Sequence, residues 1–444
     1  MKKTLHLFPI ILLMMSIFTA CDPDNNLEFP NNEPATGSYE VKSDIQVPMV
    51  MFINNIPDEY VAFKEPLASM VSKRESDLAQ ELGKSDINLG FRKITYLYPS
   101  TDVIGDSITL SAVAFWLGYF DNGVWNDIKP ENICLMEHYT ITSDEETPSN
   151  SYALEMFITG NALTIMPDYI GYGITKDMPH PYLNHDICAI NSIDALTYGY
   201  TLFNDKNRCG MSPDWKLYLA GASQGAGNAI AVHKYLDTHL EFATKWNFAS
   251  TNCSSGPYSP VITIDKYLAD GKVEYPVVFP LVMKTMFDSY PDIMKGFTEE
   301  MVYSQNYLAV KAEIDRMIAG KEHNTAAINE LFINKVRKTV DDTLADGEIY
   351  LTDILSPEML DKESPICKAL YQCLEKNDLT KGWTPVHPMK LHYSSLDMVV
   401  PQENSLAILE AFGEDIVTLE HSSIQADHTT TCSLWMVELF SKGF

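Results

Sequence analysis

Leu217-Tyr218-Leu219-Ala220-Gly221-Ala222-Ser223-Gln224-Gly225-Ala226-Gly227 decides how this chain is read. The apolar run Trp215 to Ala220 has strand character, and a helical pattern starts at Gln224, so a Gly-x-Ser-x-Gly stands between a strand and a helix. A serine on so sharp a turn sits in a strained backbone conformation. The residues two before and two after it come too close to neighbouring backbone to carry side chains, hence Gly221 and Gly225. That setting defines a nucleophile elbow with Ser223 as candidate nucleophile, whereas a plain glycine-rich turn would leave the flanking strand and helix unexplained. A dinucleotide-binding loop fits less well, because the third glycine position after Gly225-Ala226-Gly227 is Ile230.

Working outward, Phe91 to Tyr98 and Ile108 to Leu117 flank the turn-rich Pro99 to Asp106 and predict an antiparallel hairpin. Short apolar runs then alternate with helical stretches: strands at Ile133 to Met136 and Ala162 to Met166, helices near Tyr152 to Thr159 and Cys188 to Phe203. The alternation breaks after Phe248-Ala249-Ser250 and resumes with strands at Met389 to Tyr393 and Ile416 to Glu420, and helices from Gln402 and Thr430. Between the halves, helix-start signals at Thr298-Glu299-Glu300, Asn324-Thr325 and Ser356-Pro357-Glu358 mark an inserted helical block. The expected fold class is α/β: a mostly parallel sheet with helices on both faces and an inserted helical cap. The core spans 47–256 and 386–444, and the cap 257–385.

A serine hydroxyl does not attack unaided; it needs a base, and the base needs an orienting carboxylate, in the chain order Ser, Asp, His for this arrangement. Asp397 lies in the loop leaving the first resumed strand, within Ser394-Ser395-Leu396-Asp397-Met398-Val399-Val400-Pro401. Only His421 and His428 follow it. His421 ends a strand, while His428 closes the loop before the last helix, so His428 is the candidate base. His180, His185, His233 and His392 are read as surface or packing residues. An oxyanion needs two backbone N–H donors; Gln224, at the helix start, supplies one, and Thr140, in the loop after Ile133 to Met136, is the candidate for the other.

With these residues in place, Pro167-Asp168-Tyr169-Ile170-Gly171-Tyr172-Gly173, His180-Pro181-Tyr182-Leu183 and Ser255-Gly256-Pro257-Tyr258 resemble the P-D-Y-x-G-x-G, H-P-Y-L and S-G-P-Y segments of the secretory-lipase family of α/β-hydrolases. The resemblance runs in order from about Phe91 to the C-terminus. It implies an α/β-hydrolase fold, a lipase or esterase activity without a cofactor, a structural turn role for Asp168, and a cap that covers the acyl site. Tyr139 stands where such hydrolases carry the glycine of a His-Gly motif. The apolar stretch Tyr275 to Phe287 either lines that acyl site or packs the cap onto the sheet.

The chain has 444 residues, and 32 Lys and Arg against 60 Asp and Glu leave a formal net charge of −28, which repels phosphate backbones and argues against a nucleic-acid partner. Lys2 and Lys3 precede an apolar run from Leu5 to Ala20, so residues 1–20 read as a secretory signal peptide. Phe18-Thr19-Ala20-Cys21 resembles a bacterial lipobox, with Phe18 in place of the usual Leu. It implies acylation of Cys21, an exported lipoprotein held to a membrane by its N-terminal lipid, and a tether over 21–46; simple secretion is the alternative. Seven further cysteines leave at least one free thiol, and neither Cys-x-x-Cys nor His-Glu-x-x-His spacing indicates a metal. The leading functional reading is a serine hydrolase of carboxylic esters, with a small-molecule or lipid ester as substrate. A serine peptidase of the same fold and a surface-binding lipoprotein without catalysis are the alternatives.

Overall fold

The computed structural model describes residues 38–55, 61–85, 87–152, 159–341, 343–345, 347–422 and 426–444. The signal segment, Cys21, most of the tether and most of the helix expected near 152–159 lie outside these residues.

The chain enters through β1 (Glu40–Pro48), α1 (Met49–Asn55) and α2 (Val61–Leu82). The hairpin follows as β2 (Ile87–Thr101) and β3 (Ser107–Asp121), with β4 (Val124–Asp127) folded back on β3. Next come β5 (Asn132–Glu137), β6 (Ala162–Pro167), α3 (His185–Lys206), β7 (Leu217–Ala222), α4 (Gln224–Thr238), α5 (Leu240–Lys245) and β8 (Phe248–Ser254). The tether read through Gln46 gives way to strand at Glu40, which pairs antiparallel with β2 from Leu97 onward. An edge strand needs few buried side chains, so its polar composition conceals it; a two-pronged contact from Arg92 to Asp44, at 2.8 and 2.7 Å, helps fasten it.

The sheet runs β1-β2-β3-β6-β5-β7-β8 and ends on β11 (Met389–Tyr393) and β12 (Val417–His421), parallel from β6 onward. Period-two alternation divides its apolar side chains. Phe91, Phe115, Cys134, Met136 and Ala220 join α1, α2 and the last helix in one buried cluster, while α3 and α4 cover the opposite face.

Between β8 and β11 stands the cap: α6 (Pro260–Asp270), β9 (Lys272–Val273), α7 (Val278–Ser289), α8 (Gln305–Leu308), α9 (Lys311–Gly320), α10 (Thr325–Leu331), β10 (Ile349–Tyr350), α11 (Leu351–Ile354), α12 (Pro357–Leu360) and α13 (Pro365–Glu375). Two of the expected start signals act as such, Asn324 and Ser356 accepting N–H bonds at the starts of α10 and α12; Thr298 makes no side-chain cap and precedes only a 3-10 turn, Glu299–Met301. The cap is not wholly helical, since β9 and β10 form a two-stranded antiparallel ribbon. Its apolar core takes in Tyr182 and Leu183, so the His-Pro-Tyr-Leu segment of the core domain is packed into the cap. The chain returns to the sheet where buried Asp237 of α4 accepts the N–H groups of Val386 (2.6 Å) and His387 (3.1 Å). The fold closes with α14 (Glu403–Phe412) and α15 (His428–Lys442).

Candidate active site

Ser223 stands between β7 and α4 at φ 55°, ψ −123°, a conformation that costs an L-residue about 1–3 kcal/mol and must be held by its surroundings. Its N–H is tied to the Ser254 carbonyl at the end of β8 (2.9 Å). A Cβ on Gly221 would lie 2.3 Å from the Gly225 carbonyl oxygen, and one on Gly225 would lie 2.1 Å from the Glu137 carbonyl oxygen, so both positions exclude any side chain.

Asp397 is buried in the turn after β11, where one carboxylate oxygen accepts the N–H groups of Val399 (3.0 Å) and Val400 (2.7 Å). The other oxygen accepts from His428 Nδ1 at 2.8 Å, and His428 Nε2 lies 2.9 Å from Ser223 Oγ. With Nδ1–H given to Asp397, Nε2 carries the lone pair and accepts from the serine hydroxyl, the arrangement that lets an imidazole remove the proton. His428 is the first residue of α15 rather than the last of a loop; Asp427 caps that helix by accepting Thr430 N–H at 2.8 Å. Packing holds the helix in place. Trp435 is buried and its Nε1–H donates to Asn252 Oδ1 at 2.8 Å, while Ser394 Oγ donates to the Ala426 carbonyl at 2.7 Å and joins the acid's loop to the histidine's. His421 ends β12 exposed, its ring against Tyr393, apart from this chain of contacts.

The Gln224 backbone N–H opens α4, where no helical acceptor exists for it. Its side-chain amide turns inward and donates to His180 Nε2 (2.6 Å), whose Nδ1–H donates to the Ile170 carbonyl (2.8 Å). Burial pushes His180 down to about 3, so the ring stays neutral. Thr140 lines the same cavity as Ser223, with its hydroxyl 3.0 Å from Tyr182 OH. Asp168 is buried and accepts the Ser111 and Ser149 hydroxyls. The four remaining histidines of interest, His180, His185, His233 and His392, are all buried packing residues, none on the surface.

Two residues escaped the sequence reading. Glu137 ends β5 directly beneath the elbow, fully buried beside the hydroxyls of Ser192 and Tyr169, and burial outweighs these two and raises it to about 7. Cys432, one turn after His428, also lines the cavity; burial pushes its thiol up to about 12, so it is no rival nucleophile at neutral pH. Glu137 reads in sequence as the polar end of an apolar strand, and nothing local marks either residue.

Ser223 and His428 open into a cavity of about 1230 Å³ between core and cap. From the cap side it is lined by Tyr267, Phe279, Val282, Met283, Leu370 and Leu374. The stretch Tyr275 to Phe287 therefore serves both expected ends: Phe279, Val282 and Met283 face the cavity, while Leu281 and Met286 pack within the cap.

A mostly parallel sheet with helices on both faces, an elbow between β7 and α4 and an insertion after β8 make this an α/β-hydrolase fold. No protein-family model matches the chain, and no curated protein matches it significantly. Among solved structures it is similar to a ligand-bound form of the rice cell wall degrading esterase LipA from Xanthomonas oryzae, at 19% identity over 82% of this chain and 93% of that one, with a TM-score of 0.61. A putative hydrolase from Legionella pneumophila matches at 16% identity over 91% of this chain and 96% of that one, with a TM-score of 0.62. Candida antarctica lipase A matches at 14% identity over 80% and 78%, with a TM-score of 0.51. At these identities the likeness is one of fold.

Proposed function

We propose that this protein is a serine hydrolase of carboxylic esters that works through an acyl-enzyme. The observation that carries the reading is the unbroken line from Asp397 Oδ2 through His428 to Ser223 Oγ, at 2.8 and 2.9 Å, opening into an apolar cavity. In this reading His428 takes the Ser223 proton as the hydroxyl attacks the ester carbonyl, and gives it to the leaving alcohol; a water activated by the same ring then frees the acid and restores Ser223. Asp397 holds the ring and stabilises its charged form. The backbone N–H groups of Gln224 and Thr140 hold the oxyanion, and the cap wall takes the acyl chain. The esterase and lipase names of the similar structures support this chemistry.

The test is a panel of esters with acyl chains of increasing length, assayed with the soluble form that begins after Cys21, beside aminoacyl amides and Ser223→Ala. Ester turnover that disappears in the variant supports the reading. Cleavage of amides alone would make the protein a peptidase, and ligand binding without turnover would make it a binder. We further propose that the protein is exported and lipid-anchored through Cys21; membrane pelleting that persists in processed Cys21→Ala would refute this.

A further inference from the structure

We propose that Glu274 and Asp427 are specificity-determining residues through which the cavity selects uncharged and cationic esters and rejects anionic ones. The inference rests on the esterase reading above and names the substrate class of that site.

The cavity that Ser223 and His428 face is lined by five carboxylates, Glu145, Glu146, Glu274, Glu330 and Asp427, and by no Lys or Arg among the described residues. Each wall contributes: Glu274 and Glu330 come from the cap, the other three from the core. Among the described residues, no Lys or Arg is ion-paired with any of the five. Lys272, two residues before Glu274, is engaged with Glu348 at 2.7 Å. The ammonium of Lys321 lies over the Tyr172 ring, 4.3 Å from its centre. Glu146 accepts the N–H groups of Thr142 and Ser143, and Asp427 that of Thr430, all uncharged donors.

Glu274 is the cap acid that the reactive groups themselves influence. It follows β9 directly, is partly buried, and lies close enough to feel the charges of Asp427, Asp397 and His428. Burial first, and these acids next, raise its carboxyl above the ordinary range, as expected of negative charges crowded around one apolar space. Glu146 and Glu274 are partly buried, while Glu145, Glu330 and Asp427 are exposed and their field is open to screening by salt. A carboxylate on the acyl group entering the cavity meets repulsion that the same chain ending in a methyl does not. The imidazolium that forms at His428 during acylation has the opposite sign and is favoured by the same field. Hydrolysis then creates a carboxylate inside the cavity, and that field drives it out.

The experiment compares kcat/KM for three phenyl esters of similar length, a butyrate, a hemisuccinate and a 4-trimethylammoniobutyrate, at about pH 8, where carboxylates are ionised. It uses the soluble full-length mature chain at low and high salt, together with the Glu274→Gln/Asp427→Asn double variant. Asn is as good a helix cap as Asp, so α15 keeps its start. The expected result is butyrate over hemisuccinate by about tenfold or more in the wild type, the cationic ester at least equal to butyrate, and a preference that shrinks with salt and falls to within about threefold in the double variant. Equal rates for butyrate and hemisuccinate in the wild type at low salt would overturn the inference without any variant. An unchanged ratio in an active double variant would overturn it too. Turnover of none of the three esters would overturn the esterase reading, and the inference would fall with it.

Discussion

The two walls of the cavity are built differently. On the core wall, each reactive group sits after a sheet strand or at the start of a helix and is held there: the Ser223 backbone by Ser254, the Asp397 carboxylate by the N–H groups of Val399 and Val400, His428 by the capped start of α15. The cap wall offers side chains of α6, α7, α10 and α13, mostly apolar but with Thr263, Thr325, Asn329 and its two acids among them, on short helices held together by their own hydrophobic cluster. Chemistry needs positions true to a few tenths of an ångström, which the ends of a hydrogen-bonded sheet provide. Selection by size and charge needs only a surface of the right shape, which packed helices can vary at little cost. Changes to the reactive groups of the core wall should therefore alter rate, and changes to the cap lining and to Asp427 should alter preference.

The largest effects should come from the line of three. Ser223→Ala and His428→Ala are each expected to lower ester turnover by about 10⁴-fold or more, and Asp397→Asn by about 10³–10⁴-fold, with unfolding transitions close to wild type. His421→Ala should stay within about twofold. If His421→Ala were the dead enzyme and His428→Ala the active one, the core wall would be wrongly assigned. Next comes Gly225→Ala. Its Cβ would lie 2.1 Å from the Glu137 carbonyl oxygen, so the elbow must move, and a loss of about 1–3 kcal/mol in a denaturant titration, together with most activity, is expected. An Ala variant with wild-type stability and rate would mean that the core wall is not held as described.

Glu137 tests the same wall from beneath. Burial raises its carboxyl from the ordinary 4.5 to about 7, so between those values the folded protein binds a proton that the unfolded chain has lost. The stability contributed by the neutral form is full below about pH 4.5 and is lost as pH rises through about 7. Glu137→Gln, neutral throughout, should gain up to roughly 3 kcal/mol over wild type at about pH 8 and show no gain near pH 4, read by thermal unfolding at both values. A gain of equal size at both would show that charge is not the cause. The smallest effect belongs to the cap: Met283→Trp, which narrows the cavity, should cut kcat/KM for long acyl chains about tenfold and leave short ones within about threefold. A uniform loss across all chain lengths would merge the two walls into one functional unit.

Read before the fold was known, the chain already carried the elbow, the order Ser223, Asp397, His428, and the place where the sheet stops and resumes. These are local matters: a strained turn admits only glycine at Gly221 and Gly225, and short apolar runs of strand type announce themselves. The first part of the molecule was far less legible. In β1, polar residues predominate, because an edge strand buries little, and composition then looks like linker.

What the sequence determined unaided was therefore the inventory of reactive groups and their order, since both follow from backbone constraints acting over a few residues. The sequence favoured His428 over His421 by its place in a loop, but the distance from its ring to Ser223 was the tertiary structure's to decide, with Trp435 seating α15 against Asn252, 183 residues away in the chain. The tertiary structure likewise decided that Glu137 is buried under the elbow and that Glu274 of the cap and Asp427 of the core face one cavity. Burial and electrostatic proximity arise when distant segments pack, and no short stretch of sequence contains them.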